Sequence, residues 1–185
     1  IGSWAADAVA VADQLGLDHF LSVGVSTGGA YALALAALAP ARVSAVVTAC
    51  SLSDLRWAEG RAMLTVNRFQ EILNTPNREA ALTICSELLG DDGSKIREAF
   101  DSLGLTKAEQ ELVNNPAFAD RLALEVPEMF RQGVAGYADD RLADGMGWID
   151  FDVSSIRCPA VLLHGELDTG IPAAHSRHTA EMMPT

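Results

Sequence analysis

Apolar residues follow two patterns along this chain. In 20–25, 42–49 and 160–164 they form nearly continuous runs with β-branched members, as strands buried on both faces of a parallel sheet do. Elsewhere they recur every three or four residues, the period of a helix lying on a core. Helices are predicted over 4–15, with Ser3 as N-cap and Val9, Ala12 and Leu15 along one face, over 27–39, closed by Pro40, and over 173–183. The first 50 residues thus read helix–strand–helix–strand, the unit of an α/β fold.

From about Asp54 to Gly147 no strand-like run occurs and the helical period takes over. Ala62, Val66, Phe69 and Leu73 form one stripe. Ala81, Ile84, Cys85 and Leu88 form another, stopped by Gly90, and Ile96, Ala99, Phe100 and Leu103 a third, stopped by Gly104. Thr75-Pro76 reads as an N-cap followed by proline at the first helical position, and Thr106-Lys107-Ala108-Glu109 as a capping box. Asn115-Pro116 opens a helix with Phe118 and Leu122 inward and a kink at Pro127; a short helix closes the stretch over 137–143. The expectation is an α/β fold with three parallel strands and an all-helical insertion: core over 1–53, insertion over 54–150, core again over 151–185.

The first strand runs straight into Gly24-Val25-Ser26-Thr27-Gly28 and then into an Ala/Leu-rich helix. A serine between a strand and a helix, with glycines two residues away on either side, fits a nucleophile elbow. The turn is so tight that Gly24 and Gly28 are expected to avoid a Cβ clash, and it aims the first amides of the helix at the space beside the hydroxyl. A dinucleotide fingerprint would need glycine where Ser26 stands and an acid at the end of the next strand, which is Thr48-Ala49-Cys50. No Gly-Lys-Ser/Thr is present for a phosphate-binding loop.

Composition narrows the partners. A net charge of -12 disfavours nucleic acid and anionic membrane surfaces. The longest apolar run, 30–40, is too short to cross a bilayer, and no signal peptide is visible. Three widely spaced cysteines, Cys50, Cys85 and Cys158, show no metal-ligand spacing and read as reduced residues of a cytoplasmic protein.

Gly24-Val25-Ser26-Thr27-Gly28-Gly29, the helical insertion, and Pro159-Ala160-Val161-Leu162-Leu163-His164-Gly165-Glu166-Leu167-Asp168 with Ile171-Pro172 together resemble the α/β-hydrolase family. The likeness covers the whole chain and is strongest to capped esterases, C–C hydrolases, and haloperoxidase-like and prolyl-aminopeptidase-like members. It implies part of that family's parallel sheet with the insertion as a cap. It implies Ser26 as nucleophile, Asp168 as the acid that orients a histidine, and the Thr27 backbone N–H as one oxyanion donor. The second donor is expected upstream of Ile1. Asp54, after the preceding strand, is a reserve acid. Ser26 and Asp168 are expected on one rim of the sheet. Phe69, Phe100, Phe118, Phe130 and Tyr137 are expected to pack partly together and partly over the mouth above Ser26.

None of the four histidines matches the family's base. His19 precedes the elbow strand, His164 ends the third strand, and His175 and His178 share a helical face with Glu181 that reads as solvated rather than as a metal site. The base is therefore expected beyond Thr185 and the chain to be an inactive piece of a longer protein. Serine at position 26 argues against the dehalogenase and epoxide hydrolase members, which need a carboxylate there. The expected activity is hydrolysis of a small ester, amide or related carbonyl substrate through an acyl-enzyme, without cofactor or metal. A non-catalytic small-molecule binder of the same fold, a perhydrolase and an acyltransferase are the alternatives, and the oligomeric state stays open.

Overall fold

A computed structural model describes residues 1–64, 68–101 and 105–184. Val66, Leu103 and Gly104, and the side chains of Phe69 and Phe100, lie outside the described residues. The chain divides into two compact units, one of residues 1–64 and 146–185, the other Thr65–Gly145.

The first unit opens with α1 (Gly2–Gln14), β1 (Phe20–Val25), α2 (Gly28–Leu38) and β2 (Val43–Ala49). It includes α3 (Ala58–Met63), and after the helical unit it resumes with a 3-10 turn (Val153–Ser155), β3 (Ala160–Leu163) and α10 (Ala174–Met182). Ser3 is not the cap of α1: that helix begins at Gly2, and no side chain caps it.

The three strands are parallel in the order β1-β2-β3. Val25 pairs with Ala49 and Ala49 with Leu163, so the carboxyl ends of all three strands are level. β2 carries the hydrogen bonds of both neighbours and β1 is an edge.

The sheet has two unlike faces. Ser22, Val46 and Thr48 are buried on one, where the Ser22 hydroxyl donates to the Ala32 carbonyl of α2 at 3.3 Å. α2 is apolar all round and buries Gly29, Ala30 and Ala32 to Ala36, as a helix covered on every side must. Its alanines let it lie close to the sheet. Trp148, Phe151, Val153 and Ile156 complete this core. On the other face Leu21, Val23, Val25 and Leu163 are each more than half exposed. Strand β1 is thus apolar and bare on one side only.

The second unit holds α4 (Arg68–Leu73), α5 (Arg78–Leu89), α6 (Ile96–Asp101), α7 (Lys107–Val113), α8 (Pro116–Met129) and α9 (Ala135–Gly145). Its core is Ile72, Ala81, Cys85, Leu89, Ala99, Phe130, Val134 and Ala138, with Tyr137 packed against it. The capping box at Thr106 and Glu109 forms, Asn115 caps α8, and Gly90 ends α5 with φ 74°. Thr75-Pro76 does not start a helix. Asn77 caps α5 by accepting the Ala80 N–H, while the Thr75 hydroxyl turns back to the Ile72 carbonyl. Pro127 lies inside α8, whose Phe118 and Leu122 are half-buried. Arg141 and Asp144 form a buried ion pair, with the guanidinium 5.9 Å from the Tyr137 ring centre.

Candidate active site

Two residues, Ser26 and Thr27, connect β1 to α2. The turn closes because Ser26 adopts φ 55°, a left-handed value that costs a non-glycine residue about 1–3 kcal/mol. Its N–H still donates to the Ala49 carbonyl at 2.9 Å, continuing the β1–β2 ladder, and its carbonyl accepts from Gly29 N–H at 3.1 Å. The side chain is exposed. Among the described residues neither the Thr27 nor the Gly28 N–H has an acceptor, and no side chain caps α2. These two amides, next in sequence to Ser26, belong to the N-terminal end of α2, where unbonded N–H groups carry partial positive charge.

The glycines of the elbow work differently from the expectation. A Cβ on Gly24 would lie 2.1 Å from the Gly28 carbonyl oxygen, so Gly24 is required. A Cβ on Gly28 would meet nothing within 4 Å. The second required glycine is Gly29, where a Cβ would fall 1.8 Å from Ser51 Oγ. The doubled Gly28-Gly29 was the visible signal, and the partner that decides between the two is remote in sequence.

Cys50 follows β2 with φ 48°, and its N–H donates to the Leu163 carbonyl at 2.9 Å. Ser26, Cys50 and His164 therefore form one row across the rim, each the first residue beyond its strand. With strands about 4.8 Å apart, the ends of that row stand about 10 Å apart. Asp168 is in the loop that follows His164, so it shares the rim with Ser26 as expected. Its Oδ1 accepts the N–H groups of Gly170 at 3.0 Å and Ile171 at 2.8 Å, which locks the loop, and its Oδ2 lies 3.5 Å from His164 Nε2.

The histidines have other work. His164 Nε2 donates to the Ile171 carbonyl at 2.7 Å, so Nδ1 accepts from the Ser176 hydroxyl at 2.6 Å. The Cys50, His164 and Asp168 donor atoms all lie within 4.8 Å of one another. Both imidazole nitrogens are already committed, so the cluster has no free imidazole lone pair for a metal. The helical face of His175 and His178 is not solvated. His175 is fully buried, its Nδ1 accepts the Ser53 N–H at 3.2 Å, and its ring meets Trp57 edge-on. His178 stacks on the same indole at 4.0 Å. Burial pushes the His175 pKa down, against a smaller upward pull from the Gly60 backbone. His19 is exposed at the opposite, amino end of β1.

Asp54 is committed as well. It grips the Arg56 guanidinium, with 2.8 Å from Nε to Oδ2, and accepts the Trp148 N–H at 3.1 Å. Burial raises its pKa, but the hydrogen bonds from Arg56 and Trp148 and the Arg56 charge outweigh it, and the net shift is downward. Arg56 also donates to the Trp148 carbonyl at 3.0 Å, so the pair ties residues 54–56 to 148. The three cysteines are free thiols; Cys85 is buried, which pushes its pKa up to about 11.

The family model for the alpha/beta hydrolase fold matches residues 2–184. The chain belongs to the alpha/beta hydrolase fold family. Solved structures of other proteins superpose on it at low identity. A hydrolase from Pseudomonas aeruginosa PA01 gives a TM-score of 0.62 at 20% identity, covering 97% of this chain and 58% of its own. A thermophilic esterase from Thermogutta terrifontis gives 0.61 at 18%, covering 99% and 60%. The enol-lactonase from Burkholderia xenovorans LB400 gives 0.58 at 19%, covering 97% and 59%. At these identities the likeness establishes the fold. The chain spans 58% to 60% of the length of these three proteins. A search of curated proteins by sequence finds no match. Among the described residues, no helix is long and apolar enough to cross a membrane.

Proposed function

We propose that this chain carries the nucleophile and acid of a serine hydrolase acting on a small ester, amide or related carbonyl substrate. The observation behind this reading is Ser26, held at positive φ with its side chain exposed, followed in sequence by two amides that have no acceptor among the described residues. The hydroxyl oxygen attacks the carbonyl carbon, its proton passes to a base, and the negative oxygen that forms accepts a hydrogen bond from the Thr27 amide, the second donor lying outside residues 1–185. Collapse expels the leaving group and leaves an acyl-enzyme, which water cleaves by the reverse use of the same base. Asp168, already fixed by two backbone amides, orients that base and stabilises its charged form.

In this reading the base is a histidine outside residues 1–185; what supports it is that His164 and His175 are hydrogen-bonded to other groups, His178 stacks on Trp57 and His19 lies at the amino end of β1. The 185 residues alone are accordingly inactive. Loss of the base from such a unit costs on the order of 10⁶ in turnover. The test compares the full-length protein with this chain, using p-nitrophenyl acetate and a fluorophosphonate probe. The full-length protein is expected to turn over the ester, to label, and to lose both on Ser26→Ala, while the isolated chain does neither above background. Turnover that survives Ser26→Ala overturns the nucleophile. Ser26-dependent turnover by the isolated chain overturns the missing base.

A further inference from the structure

Ser51 is 4% exposed and sits under the elbow, one residue beyond Cys50. Its hydroxyl is 2.9 Å from the Ser26 carbonyl oxygen and 3.4 Å from that of Leu52. A hydroxyl has one proton to give, and the shorter contact takes it. The Ser26 carbonyl is one half of a peptide unit whose other half is the Thr27 N–H. In a planar trans peptide the two point in opposite directions, so whatever fixes the carbonyl fixes the amide. A hydrogen bond accepted by the carbonyl also polarises the unit and makes its N–H a stronger donor.

We infer that Ser51 is a positioning residue: its hydroxyl, bound to the Ser26 carbonyl, aims the Thr27 N–H at the developing oxyanion. This inference rests on the nucleophile assignment above. The fit of Ser51 is specific. Gly29 leaves open the space that Ser51 Oγ fills, since a Cβ there would be 1.8 Å from it. The remaining bond to the Ser26 carbonyl comes from Gly29 N–H, within the first turn of α2, so Ser51 is the anchor from outside the helix. Without it the Ser26 carbonyl keeps only the Gly29 N–H among the described residues, and the oxyanion donor loses its aim.

The experiment uses the full-length protein with p-nitrophenyl acetate and a boronic acid that mimics the tetrahedral intermediate. Ser51→Ala is expected to lower kcat about 10- to 100-fold with KM within about twofold, below the 10²–10³ lost when an oxyanion donor is removed outright. Boronate affinity falls in parallel, because the boronate carries the oxyanion and the ground-state ester does not. Ser51→Cys, nearly the same shape with a weaker donor, gives an intermediate kcat and keeps the inference testable if the alanine variant does not fold. A role confined to stability would lower the unfolding midpoint and leave kcat and boronate affinity alone, and that result overturns the inference. If Ser26→Ala abolishes turnover while both Ser51 variants keep wild-type kcat, the inference falls and the nucleophile stands. Turnover that persists in Ser26→Ala overturns both.

Discussion

Gly24 and Gly28 stand symmetrically about Ser26 in sequence and unequally in space. At Gly24 an added methyl collides with a carbonyl oxygen that is part of the turn itself, and neither backbone can yield without opening the elbow. At Gly28 the added methyl meets nothing within 4 Å beyond its own turn and occupies the first position of α2, where alanine restricts the unfolded chain more than glycine without a clash. Gly24→Ala is therefore expected to destabilise by about 3 kcal/mol or more, at or above the usual cost of overpacking, and Gly28→Ala to be neutral or slightly stabilising. Urea unfolding of the two variants measures the contrast. Equal losses would mean that the turn is not closed by the Gly24 contact. The Gly-x-Ser-x-Gly pattern was legible in the sequence because it is local. The required spacing, Gly24 and Gly29, was not, because the atom that excludes a side chain at Gly29 belongs to Ser51.

Elements show the same division. Strands β1, β2 and β3 and helix α2 could be read from apolar runs, and the Thr106 and Asn115 caps from residues within one turn of them. Asn77 was not legible as the cap because the neighbouring Thr75-Pro76 offers an equally good local signal, and the choice depends on where α4 ends. The burial of α10's polar face was not legible for a related reason. A helix face with two histidines and a glutamate looks solvated until the stretch 53–57 lies on it. That contact has a pH dependence. With Nδ1 occupied by the Ser53 N–H, protonation of His175 puts a second proton where a donor already points, and its neighbours His164, His178 and Asp168 bear on its charge. Its folded pKa is depressed below the ordinary value of 6.5. The unfolded chain therefore binds the proton first, so stability is complete above about pH 6.5 and declines as pH falls toward the folded value. His175→Gln, whose amide oxygen can still accept from Ser53, is expected to flatten this limb. Urea midpoints measured from pH 7.5 to 5 should show the slope in the wild type and a reduced one in the variant; parallel curves would remove His175 as its source.

Across the whole molecule, the α/β class, the parallel sheet and a helical stretch between β2 and β3 were legible, since each rests on hydrophobic period alone. The bare apolar face of the sheet was not, because alternation within a short apolar run does not say which side is covered. Nor was the bond between Asp54 and Trp148, 94 residues apart. That bond has a consequence for the order of folding. Strand β3 must find β2 across roughly 110 residues of intervening chain, and closing so long a loop is slow. If 54–56 and 148 are joined first, their hydrogen bonds offset the cost of the long closure, and the loop left for β3 to close is roughly 20 residues, about 1.5 kcal/mol cheaper than the full one. Asp54→Ala is then expected to slow refolding by up to about tenfold and to change unfolding little, the signature of a contact made before the rate-limiting step. Stopped-flow refolding and unfolding in urea distinguish this from the reverse outcome, in which only unfolding accelerates and the Asp54 carboxylate joins the structure after the sheet is built.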